Sequence, residues 1–110
     1  MNNEPPQLEI HESHEAAGVR LRLRGELDFA TADAVADRLA RLARGHNRVL
    51  LDLDGLTFMD ASGVRLVLTA ARNAQNDGWA FAVTRGSPPV RRLFELVDAD
   101  RHLTVEDGSP

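Results

Sequence analysis

Hydrophobic and polar residues alternate strictly in the segment "VRLRLRG", where Val19, Leu21 and Leu23 are separated by arginines. This period of two predicts a strand with one buried face and one solvated face. Leu8 and Ile10 also alternate with polar residues and predict an earlier strand, so the two strands should form an antiparallel hairpin. We interpret the arginine face as solvated rather than as a docking patch.

A helical period follows this hairpin. Val35, Leu39 and Leu42 lie at positions i, i+4 and i+7, which predicts one apolar stripe on a helix. Thr31 is the predicted N-cap. Gly45 is the predicted end of the helix.

The next segment, "RVLLDL", is apolar without alternation, which is typical of a central strand covered on both faces. A second helix is predicted after it, with Ser62 as its cap and Gly78 at its end. Its buried stripe is predicted to comprise Val64, Val67, Leu68 and Ala71.

The segment "WAFAVT" predicts another strand, and Ser87 with Pro88 predicts the start of a third helix. The residues predicted to face inward on this helix are Val90, Leu93, Phe94 and Val97. A short last strand is predicted at "LTV". The predicted α/β order is therefore β-β-α-β-α-β-α-β. It implies a mixed, mainly parallel sheet with an N-terminal antiparallel hairpin and helices packed on it.

The length of 110 residues suits a single domain, which we place at residues 8–106, with flexible tails at 1–7 and 107–110. No apolar run is long enough for a membrane span, and the start lacks the pattern of a secretory signal. Cysteine is absent, which excludes disulfides and thiol catalysis and is compatible with the cytoplasm. The net charge of -4 argues against nonspecific binding to nucleic acid.

All 13 basic residues are arginines, so every mechanism that requires a lysine is removed. The 4 histidines show no metal-ligand spacing. We therefore expect neither a metal nor a cofactor.

Three acidic residues, Asp52, Asp54 and Asp60, follow the apolar strand and precede the second predicted helix. The segment "LLDLDG" matches the opening motif of phosphatases of the haloacid dehalogenase type. There Asp52 would be the nucleophile and Asp54 the acid/base, beside a magnesium ion. The match ends at Leu56, where that motif continues with threonine, and the rest of the chain is too short for a complete catalytic core.

A response-regulator receiver would also place a phosphate-accepting aspartate at the end of this strand. It additionally needs an acidic pair after the first strand to hold magnesium, and a lysine late in the chain. Glu12 and Glu15 are poorly placed for the pair, lysine is missing, and an initial hairpin does not suit a strictly alternating β/α fold. Both phosphotransfer hypotheses are therefore disfavoured, and we do not expect an enzyme.

Four segments in sequence resemble the STAS domain family, specifically the bacterial anti-sigma factor antagonists (anti-anti-sigma factors). The segment "RGELDFATA" resembles the family's G-E-[LI]-D region, and "VLLDLDGLTFMDASGVRLVL" resembles its D-[ST]-[ST]-G signature. The segments "DGWAFAVT" and "SPPVRRLFELVDADRHLTV" resemble its next strand and its closing region. Together they span about residues 8–106.

The resemblance implies a binding module in transcription regulation rather than a catalyst. Its expected partner is an anti-sigma factor with a histidine-kinase-like ATPase fold, whose capture frees a sigma factor. A phosphatase of the PP2C type is a further implied partner. The alternative is a STAS scaffold in a stressosome-like or transport-associated assembly.

Family members dock on the anti-sigma factor through the loop and helix start that here contain Asp60, and the resemblance adds Asp28 as a neighbour on that surface. The residues expected to contact the partner are Asp28, Asp60, Ala61, Ser62, Gly63 and Arg65. Asp52 and Asp54 are instead expected to shape a turn, in which Gly55 would adopt a positive φ.

The chain departs from the family pattern at Ala61. In the D-[ST]-[ST]-G motif the residue directly after the aspartate is the one phosphorylated, and a methyl group cannot accept phosphate. Ser62 matches the second Ser/Thr of the motif. The favoured hypothesis is a constitutive antagonist without the usual phosphorylation switch, and the rival hypothesis makes Ser62 the phosphate acceptor.

Overall fold

A five-stranded mixed sheet forms the centre of the fold in the computed structural model, which describes residues 7–107. The strands lie in chain order, and the predicted order of elements and the fold class are confirmed. The elements are β1 (Leu8–Glu15), β2 (Gly18–Leu27), α1 (Ala32–Gly45), β3 (Arg48–Met59), α2 (Ala61–Asp77), β4 (Ala80–Thr84), α3 (Pro88–Leu96), a short 3-10 helix (Ala99–His102) and β5 (Val105–Glu106). Of the predicted tails at 1–7 and 107–110, residues 1–6 and 108–110 lie outside the described residues.

Strand β1 pairs with β2 in the antiparallel sense, and all other neighbouring strands are parallel. Each crossover from β2 onward moves one strand further along the sheet. Right-handed crossovers in one direction place α1, α2 and α3 on the same face. All three helices begin at the edge where the parallel strands end, so this edge collects three helix N-termini.

The apolar stripe predicted for α1 is confirmed, because Val35, Leu39 and Leu42 are all buried. In α2, Val64 and Val67 are buried as predicted, whereas Leu68 and Ala71 are only partly buried. The rest of the buried face of α2 comprises Gly63, Leu66, Ala70 and Ala74.

In α3, Val90 and Phe94 are buried as predicted and Leu93 is partly buried. The prediction that Val97 faces inward is wrong, because α3 ends at Leu96 and Val97 is half-exposed. Beyond the helix, Asp98 adopts a left-handed φ of 58° and turns the chain so that Ala99 is buried instead.

Serine and threonine residues flank the helices, but the predicted caps are only partly right. Thr31 and Ser87 occupy the N-cap positions without a side-chain cap hydrogen bond. The prediction that Ser62 caps α2 is wrong, because the helix begins at Ala61 and its N-cap is Asp60. Gly78 ends α2 in a left-handed conformation, as predicted.

Strand β3 does not end at its first two aspartates, as the expected turn would require, but continues to Met59. The pairing of β2 with β3 shifts register near Arg24 and Gly25, which accommodates the polar residues of this segment. Gly55 is not among the described glycines with positive φ. A Cβ atom there would lie 2.8 Å from the carbonyl oxygen of Leu23, so close strand packing is what requires glycine.

The arginine face of β2 is not solvated throughout. Arg20 is buried, and its Nη1 lies 3.4 Å from Oδ2 of Asp52, which is also buried. Nε of the exposed Arg22 lies 3.5 Å from the same oxygen. Oδ1 of Asp52 accepts the backbone N–H of Asp54 at 3.0 Å and lies 3.5 Å from Thr84 Oγ1. Asp52 thus has the expected local bond and also links three strands.

Replacing Asp52 by alanine should lower the free energy of unfolding by about 2–3 kcal/mol, because the buried Arg20 loses its buried carboxylate partner. The more exposed Glu15, whose Oε1 lies 3.6 Å from Arg20 Nε, compensates this charge only in part. Urea unfolding followed by circular dichroism measures this change. Asp37→Ala, which removes an exposed carboxylate of α1, is the control and should change stability by less than about 0.5 kcal/mol. A loss below about 1 kcal/mol for Asp52→Ala would contradict the structural role of this ion pair.

Candidate functional site

Two loops meet at the edge of the sheet where β2 and β3 end. Leu27 and Met59 are register partners at the ends of the two parallel strands, so the residues that follow them are neighbours. The backbone N–H of Asp60 donates to the carbonyl of Leu27 at 3.2 Å. We call residues 28–31 and 60–62 together the loop platform.

Asp60 joins the two halves of the loop platform. Its Oδ1 accepts the backbone N–H of Ser62 at 2.8 Å and so caps α2. Its Oδ2 accepts the backbone N–H of Phe29, in the other loop, at 3.3 Å. The carboxylate also lies at the positive end of the helix dipole. One side chain therefore starts the helix and fixes the neighbouring loop to it.

Asp28 and Thr31 brace the other loop. Oδ1 of Asp28 accepts the backbone N–H groups of Ala30 and Thr31 at 2.9 and 3.2 Å. Oγ1 of Thr31 accepts the backbone N–H of Asp28 at 2.9 Å and lies 3.0 Å from the carbonyl of Glu26, to which it donates. This reciprocal bonding gives the loop a defined shape before any partner arrives.

The structure brings Asp28, Asp60, Ala61 and Ser62 together, as the sequence predicts. Ala61 is exposed at the first position of α2, and Ser62 is partly buried behind it. Contact of these residues with a partner stays a prediction.

Gly63 and Arg65 lie further along α2 and differ in role. Gly63 is buried, and a Cβ atom there would lie 2.6 Å from Cγ of Met59 and 3.1 Å from Cγ of Leu27. Its contribution in the structure is to let the helix approach the sheet closely. Arg65 is exposed one turn after Ala61, and no ion pair of its side chain occurs within the described part of the chain.

The sequence analysis missed Phe29, whose side chain is 85% exposed. The available signal was a large apolar residue between Asp28 and Thr31, two residue types that stabilise turns. The loop platform thus presents an aromatic ring as well as carboxylates.

A shallow groove of about 310 Å³ runs from the loop platform along the line where α2 faces α3. It begins at Ala61, passes Leu68 and Leu93, and reaches Arg72 and Val97. Its floor is largely apolar, and Arg65 and Arg72 stand on its α2 side. The groove extends the surface that a partner docking at the loop platform would meet.

The described residues contain no group of three or more histidine, aspartate or glutamate side chains arranged to hold a metal ion. None of the helices within residues 7–107 has the length and apolar character needed to cross a membrane.

Comparison with known proteins adds independent information on this fold. The family model described as "Mlab, STAS domain" matches residues 10–105. The chain is 34% identical over 103 residues to the anti-sigma F factor antagonist of Paenibacillus polymyxa, covering 92% of this chain and 88% of that protein. It is 31% identical over 75 residues to the putative anti-sigma factor antagonist BtrV of Bordetella bronchiseptica, covering 67% and 65% of the two chains.

Solved structures agree with the fold. The unphosphorylated form of the anti-sigma factor antagonist SpoIIAA superimposes with a TM-score of 0.75 and 23% identity, covering 92% of this chain and 89% of that one. An anti-sigma factor antagonist from Mycobacterium paratuberculosis gives a TM-score of 0.78 at 20% identity, with 93% and 86% coverage. At these identities the likeness establishes the architecture.

Replacing Asp60 by alanine should lower the free energy of unfolding by about 1–2 kcal/mol, because α2 loses its cap and the two loops lose their shared acceptor. Asp60→Asn keeps an oxygen acceptor and should lose less. Urea unfolding measures stability, and hydrogen exchange should show faster exchange at the amides of Phe29 and Ser62 in the alanine variant. Unchanged exchange at both amides would show that the carboxylate does not join the loops.

Proposed function

Since the chain belongs to the STAS domain family, we propose that it acts as an anti-sigma factor antagonist. It binds an anti-sigma factor with a histidine-kinase-like ATPase fold and so frees a sigma factor in the cytoplasm. The observation that carries this proposal is the braced loop platform, in which Asp60 bonds to both loops while Ala61 and Phe29 face outward. Two relatives whose names contain the same function support it.

Recognition through this surface depends on matching shape and charge, with no bond made or broken. The loops are already held by local hydrogen bonds, so docking orders few residues and loses little conformational entropy. The groove beside Ala61 supplies apolar area, and the exposed Arg65 and Arg72 supply positive charge for an acidic stripe on the partner.

The aspartates that a phosphotransfer enzyme would need are engaged in structural contacts. Asp52 is buried beside Arg20 and bonded to the neighbouring backbone. Oδ1 of Asp54 accepts the backbone N–H of Gly86 at 3.0 Å, which ties β3 to the start of α3. This arrangement supports a binding module rather than a catalyst, and a binding module has no need of magnesium.

Control by phosphorylation differs from the family pattern because Ala61 stands at the usual acceptor position. A phosphoserine there would carry about -1.5 to -2 charges, which a helix N-terminus tolerates and a closely fitted partner does not. Without that hydroxyl the chain stays in its binding-competent form. A PP2C-type phosphatase would then have no substrate at position 61.

Ser62 offers the only hydroxyl in the 60–62 segment. It lies one residue further into α2, is partly buried, and its backbone N–H is bonded to Asp60. A kinase would have to reach a side chain that the first helical turn partly covers. This geometry supports the constitutive hypothesis over phosphorylation of Ser62.

The binding proposal is tested by titrating the chain with each histidine-kinase-like anti-sigma factor encoded in its source genome. At least one should form a stable complex and release its sigma factor, as followed by calorimetry and size-exclusion chromatography. Asp60→Ala should weaken this complex by at least about tenfold, which is about 1.4 kcal/mol. Arg44→Ala, at the opposite edge of the sheet, is the control and should bind like the wild type.

Absence of binding to every such anti-sigma factor would overturn the proposal. Stable association with other STAS proteins in place of an anti-sigma factor would favour the scaffold alternative. Magnesium-dependent turnover of a phosphomonoester that is lost in Asp52→Asn would restore the phosphatase hypothesis.

The regulatory proposal is tested by intact mass after incubation with the bound anti-sigma kinase and ATP. The wild-type mass should stay unchanged, whereas Ala61→Ser should gain one phosphate because it restores the acceptor at the exposed first helical position. The double variant Ala61→Ser/Ser62→Ala should be phosphorylated equally. A wild-type gain that disappears in Ser62→Ala would instead identify Ser62 as the acceptor.

A further inference from the structure

Phe29 is the most exposed of the large apolar side chains in the described part of the chain, at 85%. Leu96 follows at 77%, at the carboxyl end of α3, and it belongs neither to the loop platform nor to the residues that line the groove. A single exposed apolar residue is common on protein surfaces and needs no explanation by itself. What distinguishes Phe29 is how its backbone is held.

Every backbone N–H in residues 28–31 has a defined acceptor. The N–H of Asp28 donates to Thr31 Oγ1, and that of Phe29 donates to Asp60 Oδ2. The N–H groups of Ala30 and Thr31 both donate to Asp28 Oδ1. The backbone of a loop tip with four satisfied donors does not need to reorganise before it binds, so the residue that carries the ring is held in place.

The same carboxylate that holds Phe29 also starts α2. Asp60 accepts from Phe29 through one oxygen and from Ser62 through the other. The backbone position that carries the ring is therefore fixed relative to Ala61 and to the groove beside it. Phe29 and the first turn of α2 form one rigid surface rather than two independent contacts.

The surroundings of the ring are acidic. Asp28 and Asp60 flank it through the hydrogen bonds above, and Asp33 is exposed in the first turn of α1. A partner that takes up the ring must remove it from water and also meet these carboxylates. The complementary surface is an apolar socket with a rim of arginine or lysine side chains.

We propose that Phe29 is the anchor residue of the loop platform and enters an apolar, basic-rimmed socket on the anti-sigma factor. This inference rests on the proposed function and names the residue that dominates binding. Rigid aromatic residues at the centre of an interface typically carry most of the binding energy, and neighbouring residues mainly exclude water. Asp28 is then a positioning residue that holds the loop in shape.

The first experiment measures Kd for the anti-sigma factor that binds the wild-type chain. Phe29→Ala should weaken binding by at least about 30-fold. Phe29→Leu, which keeps part of the apolar area, should weaken it less. Leu96→Ala removes a similarly exposed apolar side chain and should stay within about twofold of wild type. Because Phe29 is exposed, Phe29→Ala should unfold at the wild-type urea concentration, so the loss of affinity cannot come from misfolding.

The second experiment separates positioning from direct contact. Asp28→Ala should weaken binding clearly more in the wild-type background than in the Phe29→Ala background, because the brace then has no ring to position and only the charge of Asp28 is lost. Asp28→Asn retains the side-chain oxygen acceptor but loses the negative charge, so it should weaken binding less than Asp28→Ala does. Equal losses for Asp28→Ala in both backgrounds would show that Asp28 contacts the partner independently and would overturn its positioning role.

The outcomes distinguish this inference from the function on which it rests. Wild-type binding with Phe29→Ala within about threefold of it would overturn the anchor and leave the antagonist function standing. No binding by the wild type to any anti-sigma factor would overturn both. Increasing salt should slow association with the wild-type partner, because the acidic surroundings of the ring steer a basic rim.

Discussion

The two hydrogen bonds accepted by the Asp60 carboxylate are the constraint on which the loop platform depends. Parallel pairing of β2 with β3 brings two chain segments to one edge, but it does not fix their relative orientation beyond the last strand residues. Asp60 does so by accepting one backbone N–H from each segment. The carboxylate that caps the N-terminus of α2 is therefore also the group that fixes the shape of the loop platform. Folding stability and the proposed recognition share the same two hydrogen bonds.

The order of elements could be predicted because burial on one face sets a period that the sequence displays directly. The wrong predictions concern residues whose burial or hydrogen bonding depends on a residue that is distant in the sequence. The alternation in β2 suggests that Arg20 is solvated, and only the register with β3 reveals the buried carboxylate of Asp52. Asp60 and Ser62 both belong to residue types that favour the N-cap position. Which of them caps α2 depends on the residue at which β3 ends. The exposure of Phe29 likewise depends on how two distant loops meet.

The family resemblance named four residues that lie together in the structure, namely Asp28, Asp60, Ala61 and Ser62. It did not reveal which of these residues hold the loops by hydrogen bonds and which are exposed. Oδ1 of Asp28 and both carboxylate oxygens of Asp60 accept backbone N–H groups, and Gly63 is buried on the side of α2 that faces the sheet. The exposed residues of the loop platform are Phe29, Ala30 and Ala61. In the proposed function, the chain keeps the loop platform while Ala61 has no hydroxyl at the position where the family resemblance expects the phosphate acceptor.

The absence of a side chain at Gly63 sets the height of α2 above the sheet, because Met59 and Leu27 fill the space beneath it. The orientation of the exposed residues of α2 depends on this close packing of Gly63 on Met59 and Leu27. A larger residue at position 63 would push α2 away from the sheet. Ala61 and the adjoining groove would then move although no exposed residue is replaced. Related domains with identical exposed residues can therefore differ in the partner that they bind because of substitutions at buried positions.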